Sequence, residues 1–311
     1  MDGLPYFAES HAGHTLKTAI GCVGVGVHSG RRVAVTLRPA PPGTGILFRR
    51  TDLGIDLPAR YDHVVDTKLC TVLADPASPG LRVSTVEHLM AALAACQVAD
   101  CIVELDAPEV PVLDGSAAPW VFLLDCAGLE PATPAPAIEV LRTVRVTDGD
   151  GFAELRPHAG PLTLALSIAF DAPAIGHQAL TLELSERTFR RDIAPARTFA
   201  LAADIAGLQA SGLARGGSFE NAVVVDGARV LNPGGLRMAD EFVRHKLLDA
   251  VGDLALAGAP LRARFIGHRS GHTLNNQLLR ALFASPANWR DADAGAGGGI
   301  SMPERAAAAP V

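Results

Sequence analysis

Apolar and polar residues alternate with a period of two near the start of the chain. Arg32-Val33-Ala34-Val35-Thr36-Leu37-Arg38 puts Val33, Val35 and Leu37 on one face of a strand, and Gly45-Ile46-Leu47-Phe48-Arg49 follows a Pro/Gly turn as a second. The period then lengthens. Residues 86–95 read as a helix with Leu89 and Leu93 toward a core, Cys101-Ile102-Val103-Glu104-Leu105 as a strand, and residues 118–129 as another helix. The second half repeats the style, with strands expected at 138–146, 153–155, 162–170 and 181–184. A long helix over 242–256 has apolar residues at 243, 247, 251 and 254, with Asp240 to cap its start and Gly258 and Pro260 to close it. Residues 274–283 form a shorter helix. Each half reads as mostly antiparallel strands with two helices, which makes the class α+β.

Between the halves, Glu130-Pro131-Ala132-Thr133-Pro134-Ala135-Pro136 is rich in proline, which donates no hydrogen bond to a sheet. The expected organisation is therefore a domain over residues 1–130, a linker over 131–137 and a second domain over 138–290. Residues 291–311, running through glycines into an alanine run, read as a low-complexity tail.

Composition narrows the function. Of 311 residues 49% are apolar, enough for a sizeable core, and few are aromatic, so that core is built of small aliphatic contacts. A formal charge of -6 lacks the basic footprint of a nucleic-acid binder. Neither an apolar run of membrane-spanning length nor a signal-peptide pattern is present, so a cytoplasmic protein is expected. Five cysteines (22, 70, 96, 101 and 126) form no metal-type pairs and fit buried or inert thiols of a reducing compartment. His11, His14, His63 and His158 are assigned to the surface. No phosphate-binding glycine fingerprint occurs, since Gly24-x-Gly26 lacks the third glycine and the following helix.

Three segments carry candidate chemistry. In Ser84-Thr85-Val86-Glu87-His88-Leu89 an imidazole can bind a metal while the carboxylate beside it takes a proton from water. Ser84-x-x-Glu87 is equally a capping box, and the segment alone favours that reading. His245 and Asp249 lie four apart on the long helix and can share one zinc ion or simply pair with each other; alone, the pair is the commoner case. Asp253 one turn on extends a polar stripe down an apolar helix, where acids need a partner and a cation supplies one. His88 is the natural third ligand, and three protein ligands leave the fourth position for water. In Gly267-His268-Arg269-Ser270-Gly271-His272, His272 precedes a helix and can act as a general acid with Asp253 orienting its ring, or be a loop histidine with no task.

These segments occur together with Gly24-Val25-Gly26-Val27-His28-Ser29-Gly30, Leu37-Arg38-Pro39-Ala40-Pro41, Pro111-Val112-Leu113-Asp114-Gly115-Ser116-Ala117-Ala118-Pro119, Ala196-Arg197-Thr198-Phe199 and Gly216-Gly217-Ser218-Phe219. Two further runs are Asp240-Glu241-Phe242-Val243-Arg244-His245-Lys246-Leu247-Leu248-Asp249 and Ser270-Gly271-His272-Thr273-Leu274-Asn275-Asn276. With them the chain, over about residues 14–285, resembles the UDP-3-O-acyl-N-acetylglucosamine deacetylases of lipid A synthesis.

The resemblance implies two similar two-layer α+β domains, with helices sandwiched between the sheets. It implies zinc on His88, His245 and Asp249, Glu87 as general base, Thr198 at the oxyanion and His272, oriented by Asp253, as acid. Lys246 matches a substrate-binding lysine. Phe199 and the segment through Ser218, in an insert near 198–225, match an acyl passage, and Phe170 a uracil-stacking aromatic. Arg269 stands for a lysine, Ala172 for a histidine and Leu201 for an aromatic, which leaves chain-length preference and uridine contacts open. The implied substrate is a UDP-linked acylated amino sugar, handled by a monomer. Iron(II) suits the same donors. The competing readings are a zinc amidase for another N-acyl sugar and a non-catalytic nucleotide-sugar-binding module.

Overall fold

A computed structural model describes residues 13–132 and 136–292. In the first half the strands are β1 (His14–Leu16), β2 (Ile20–Val25), β3 (Arg32–Pro39), β4 (Ile46–Arg50), β5 (Ile55–Pro58), β6 (Val64–Asp66), β7 (Val72–Asp75) and β8 (Ser78–Ser84). Helix α1 (Glu87–Ala95), β9 (Cys101–Leu105), α2 (Ala118–Ala127) and β10 (Leu129–Pro131) follow. The main sheet runs β2-β3-β9-β4-β5, with β9 antiparallel to β3 and parallel to β4; β6-β7-β8 form a small sheet of their own.

The second half contains β11 (Ile138–Val140), β12 (Val144–Asp148), β13 (Gly151–Pro157), β14 (Thr163–Ala169), β15 (His177–Glu183) and the single-turn α3 (Glu186–Thr188). Next come β16 (Phe199–Leu201), α4 (Ala202–Ala210), β17 (Val223–Asp226), β18 (Arg229–Val230), α5 (Glu241–Ala255), β19 (Leu261–His268), α6 (His272–Phe283) and β20 (Trp289–Asp291). Here β12-β13-β19-β14-β15 repeats the order of the first sheet, β19 lying antiparallel to β13 and parallel to β14. The two halves thus share one topology: two hairpins, an insertion, a helix, the central strand and a second helix. The insertions, β6-β7-β8 in one half and the stretch from α3 to β18 in the other, occupy the same place in that order.

Helix α2 packs on β2, α5 on β14 and β15, and α6 on β12 and β13, while α1 packs against both α2 and α5. The helices therefore form the inner layers and bury apolar surface on both sides. Helix α1 is buried at Glu87–Leu93 and again at Ala95, not along a single stripe, and one continuous core runs through both halves.

Several sequence expectations need correction. The helix expected over 118–129 stops at Ala127, because Gly128 turns the chain with φ 68°, and Leu129–Pro131 pairs antiparallel with β1. The expected linker thus begins inside a strand, whose last residue, a proline, faces His14; residues 133–135 of that linker lie outside the described residues. The strand expected over 138–146 is two, since the chain leaves the sheet at 141–143. Asp291 belongs to β20, paired with Ile138, so the tail begins later than expected, and 293–311 lie outside the described residues. Among the described residues the second half also has α3, a π-helical segment over Phe189–Ile193 and α4 beyond the expected pair. Asp240 sits at the start of α5 but accepts a bond from Arg244 Nε instead of capping a backbone N–H.

The five cysteines are free thiols, with Cys70, Cys96 and Cys101 buried, Cys22 half-buried and Cys126 exposed. His14, His63 and His158 are half-buried, not on the open surface, and His11 lies outside the described residues. Among the described residues no helix is long and apolar enough to cross a membrane.

Candidate metal centre

The site is built where α1 meets α5. The turn into α1 places Thr85 at φ 59°, a conformation that a β-branched residue adopts only when its surroundings hold it there. The Thr85 hydroxyl donates to Glu109 Oε1 (3.1 Å), and the same carboxylate accepts the backbone N–H groups of His28 and Ser29 (2.8 Å each). Across the interface α5 presents Gly252, where a Cβ would run into the Glu87 carbonyl oxygen. The missing side chain allows the two backbones to approach and brings the first turn of α1 level with the middle of α5.

Ligand-type atoms of His88, His245 and Asp249 then converge within 4.8 Å of one another, all three residues buried. His88 Nε2 lies 3.6 Å and His245 Nε2 3.3 Å from Asp249 Oδ1. His245 Nδ1–H donates to the Ala196 carbonyl (3.1 Å), which leaves the Nε2 lone pair facing the cluster. Burial pushes the His245 pKa down to about 4, so the ring is neutral, as a ligand must be. At Asp249 burial works to raise the pKa, but Lys246 and His245 outweigh it and hold the carboxyl well below its usual range. Two imidazoles and one carboxylate at this spacing suit a divalent cation with a position to spare.

Glu87 and His272 flank the cluster. Burial raises the Glu87 pKa, and its Oε1 is 4.0 Å from His272 Nε2. His272 Nδ1 donates to Asp253 Oδ2 (2.9 Å), which Asn275 Nδ2 also reaches (2.8 Å). Burial opposes the charge on His272, but Asp253 and Glu87 prevail and raise its pKa to about 9. The capping-box reading of Ser84 and Glu87 fails here. Ser84 ends β8, Val86 precedes the helix without a side-chain cap, and the Glu87 carboxylate instead accepts from Thr71 N–H (3.0 Å). His272 is the first residue of α6, two positions earlier than the helix was expected.

The remaining candidates scatter around this centre. Phe199 packs edge-on against Phe242 (5.0 Å), Phe170 (5.5 Å) and His245 (6.2 Å), with Thr198 beside it and Ala196 bonded to His245. Phe170, Lys246 and Arg269 line a cavity of about 310 Å³ together with Ala172 and Leu201. Lys246 Nζ is 2.7 Å from Asp249 Oδ2. Ser218 is exposed and bonds within its own loop, to Glu220 and Asn221, so no direct contact ties it to the centre.

Sequence reasoning missed Thr71, Glu109, Asn275 and the buried pair Arg197–Glu241 (2.8 Å), which fixes the strand after Ala196 to the start of α5. No spacing marks them, because each acts across a long stretch of chain. Glu109 and Asn275 had only their place in or near recognisable runs; Thr71 had not even that.

The model of the UDP-3-O-acyl N-acetylglycosamine deacetylase family matches residues 13–284. UDP-3-O-acyl-N-acetylglucosamine deacetylases of Idiomarina loihiensis and Shewanella frigidimarina are each 48% identical over 280 residues, covering 88% of this chain and 90% of theirs. That of Aliivibrio fischeri is 48% identical over 88% of this chain and 91% of its own. With the family model spanning almost all the described residues and relatives of this similarity, the chain belongs to the UDP-3-O-acyl N-acetylglycosamine deacetylase family.

Proposed function

We propose that this protein removes the N-acetyl group of UDP-3-O-acyl-N-acetylglucosamine, a step of lipid A synthesis, with zinc held by His88, His245 and Asp249. The observation that carries the reading is the convergence of those three ligand-type atoms within 4.8 Å beside a buried carboxylate and a raised imidazole. Zinc in such a site supplies Lewis acidity, lowering the pKa of water toward 7 and polarising an amide carbonyl. Iron(II) fits the same donors.

The chain's own groups do the rest. Glu87, whose burial raises its pKa, takes the proton of the attacking water. The Thr198 hydroxyl and the cationic His272 ring steady the oxygen that gains charge when water adds to the acetamide carbon. His272 Nε2 then hands its proton to the departing nitrogen as the C–N bond breaks, which gives acetate and the free amine. Asp253 holds the ring in the tautomer that points Nε2 at the reaction.

Lys246 and Arg269 bring positive charge to the 310 Å³ cavity, which suits a diphosphate, and Phe170 offers a face for the uracil. Phe199 starts the acyl passage, whose wall continues through the insertion toward Ser218. A single chain supplies the whole set, as a monomer requires, and free, mostly buried thiols suit the cytoplasm. The division into residues 1–130 and 138–290 agrees with the repeated strand order.

The test is acetate release from the UDP-linked substrate by parent and Glu87→Ala, with metal content measured on both. Turnover falls at least 100-fold while zinc stays bound; full activity in the variant rejects Glu87 as base. Equal turnover of free N-acetylglucosamine would favour a broader amidase.

A further inference from the structure

Thr71 lies between the base and the acid and touches both sides. It is buried, in the insertion of the first half, just before β7. Its backbone N–H donates to Glu87 Oε2 (3.0 Å), and its hydroxyl donates to Asp253 Oδ1 (2.6 Å), a contact between residues 182 apart in the chain. Its carbonyl accepts from Val86 N–H (3.4 Å) at the mouth of α1. The residue is held in turn by a tight bend, with Leu69 at φ 67° two positions earlier.

The bonds divide the two carboxylates in the same way. On Glu87, Oε2 is engaged by Thr71, which leaves Oε1 free to face His272 Nε2. On Asp253, Oδ2 accepts from His272 and Asn275, and Thr71 is the partner that holds Oδ1 among the described residues. One residue thus fixes the rotation of the base with its backbone and that of the acid's orienting carboxylate with its side chain. The separation of Glu87 Oε1 and His272 Nε2, 4.0 Å, exceeds a hydrogen bond, so the two groups do not neutralise each other directly.

We infer that Thr71 is a positioning residue that sets the distance between Glu87 and His272, locking a carboxylate from each half of the molecule into one frame; this rests on the base and acid roles proposed above. Thr71→Val keeps the shape and the backbone N–H but releases Asp253 Oδ1. Thr71→Ser keeps the hydroxyl. The Val variant loses on the order of 10- to 100-fold in kcat with KM within about twofold, the size expected when a reacting group is misplaced by a fraction of an ångström. Its alkaline limb in the pH profile moves, because Asp253 no longer presents one fixed oxygen to His272. The Ser variant recovers to within about threefold of the parent. Metal content and thermal midpoint are measured alongside, and Thr71→Ala replaces Val in the same comparison should Val prevent folding.

A Val variant with parental kcat and pH profile overturns the inference, and so does a Ser variant as slow as Val. Glu87→Ala and His272→Ala run in parallel. If both are inactive while Thr71→Val is fully active, only the positioning role falls; if Glu87→Ala is active, the base assignment falls with it.

Discussion

At the scale of single residues the site is a set of opposed pKa shifts. The imidazole facing the ligand cluster is pushed down to about 4 and the imidazole held by Asp253 is raised to about 9, so two histidines in one pocket carry different charges at neutral pH. The cationic form of His272 is lost as pH rises through its folded value, and activity falls on that alkaline limb. A cation bound nearby repels the charge and moves the limb to lower pH. Asp253→Asn removes the strongest support for that charge and brings the limb down toward the ordinary histidine value of 6.5, read from kcat/KM against pH. The same linkage stabilises the fold, fully below pH 6.5 and progressively less as pH rises through about 9. Asp249→Ala leaves two imidazoles without their carboxylate, and metal content after dialysis drops to near zero, with loss of turnover. His245 and Asp249 were legible in the sequence because one helical turn spaces them. Thr71 was not, because its meaning depends on a partner 182 residues away.

Among elements, the decisive contact is the crossing of α1 and α5 at Gly252. Any side chain there meets the Glu87 carbonyl, so Gly252→Ala separates the helices that carry His88 and Asp249. We expect a loss of about 1–3 kcal/mol in a thermal melt, with weaker metal retention than in the parent. Among the described residues the hydrophobic pattern located four of the six α-helices and eight of the twenty strands, including β9, whose bounds agree throughout. It misjudged those whose fate is tertiary. Residues 129–131 looked like the end of a helix and the start of a linker, yet become a strand because β1 offers an edge and a terminal proline needs no donor there. Ser84 and Glu87 had the spacing of a cap, but the carboxylate accepts from Thr71 N–H instead.

Over the whole molecule, one strand order occurs twice, and the insertion in each copy reaches the same centre. The first supplies Thr71; the second supplies the Ala196 carbonyl that orients His245. The sequence showed that repetition in outline, as two similar halves of antiparallel strands with two helices, but not the strand order, which is written in partners far apart along the chain. Because His88 comes from the first half and His245 and Asp249 from the second, an ion held as proposed would bridge the halves, and its removal would weaken the whole fold and not just the pocket. Chelation should lower the melting temperature, and added zinc should restore it by an amount that grows with the logarithm of its concentration, read by calorimetry.

The division of the ligands between α1 and α5 also sets a clock on biosynthesis. While the ribosome is still making the first copy, His88 is the one residue of the His88–His245–Asp249 cluster yet made. Only when α5 has emerged are His245, Asp249 and Asp253 present, and His272 itself follows later still at the start of α6. On the proposed roles, a chain that stops short of α6 would lack the acid, and activity would wait for the last quarter of the polypeptide.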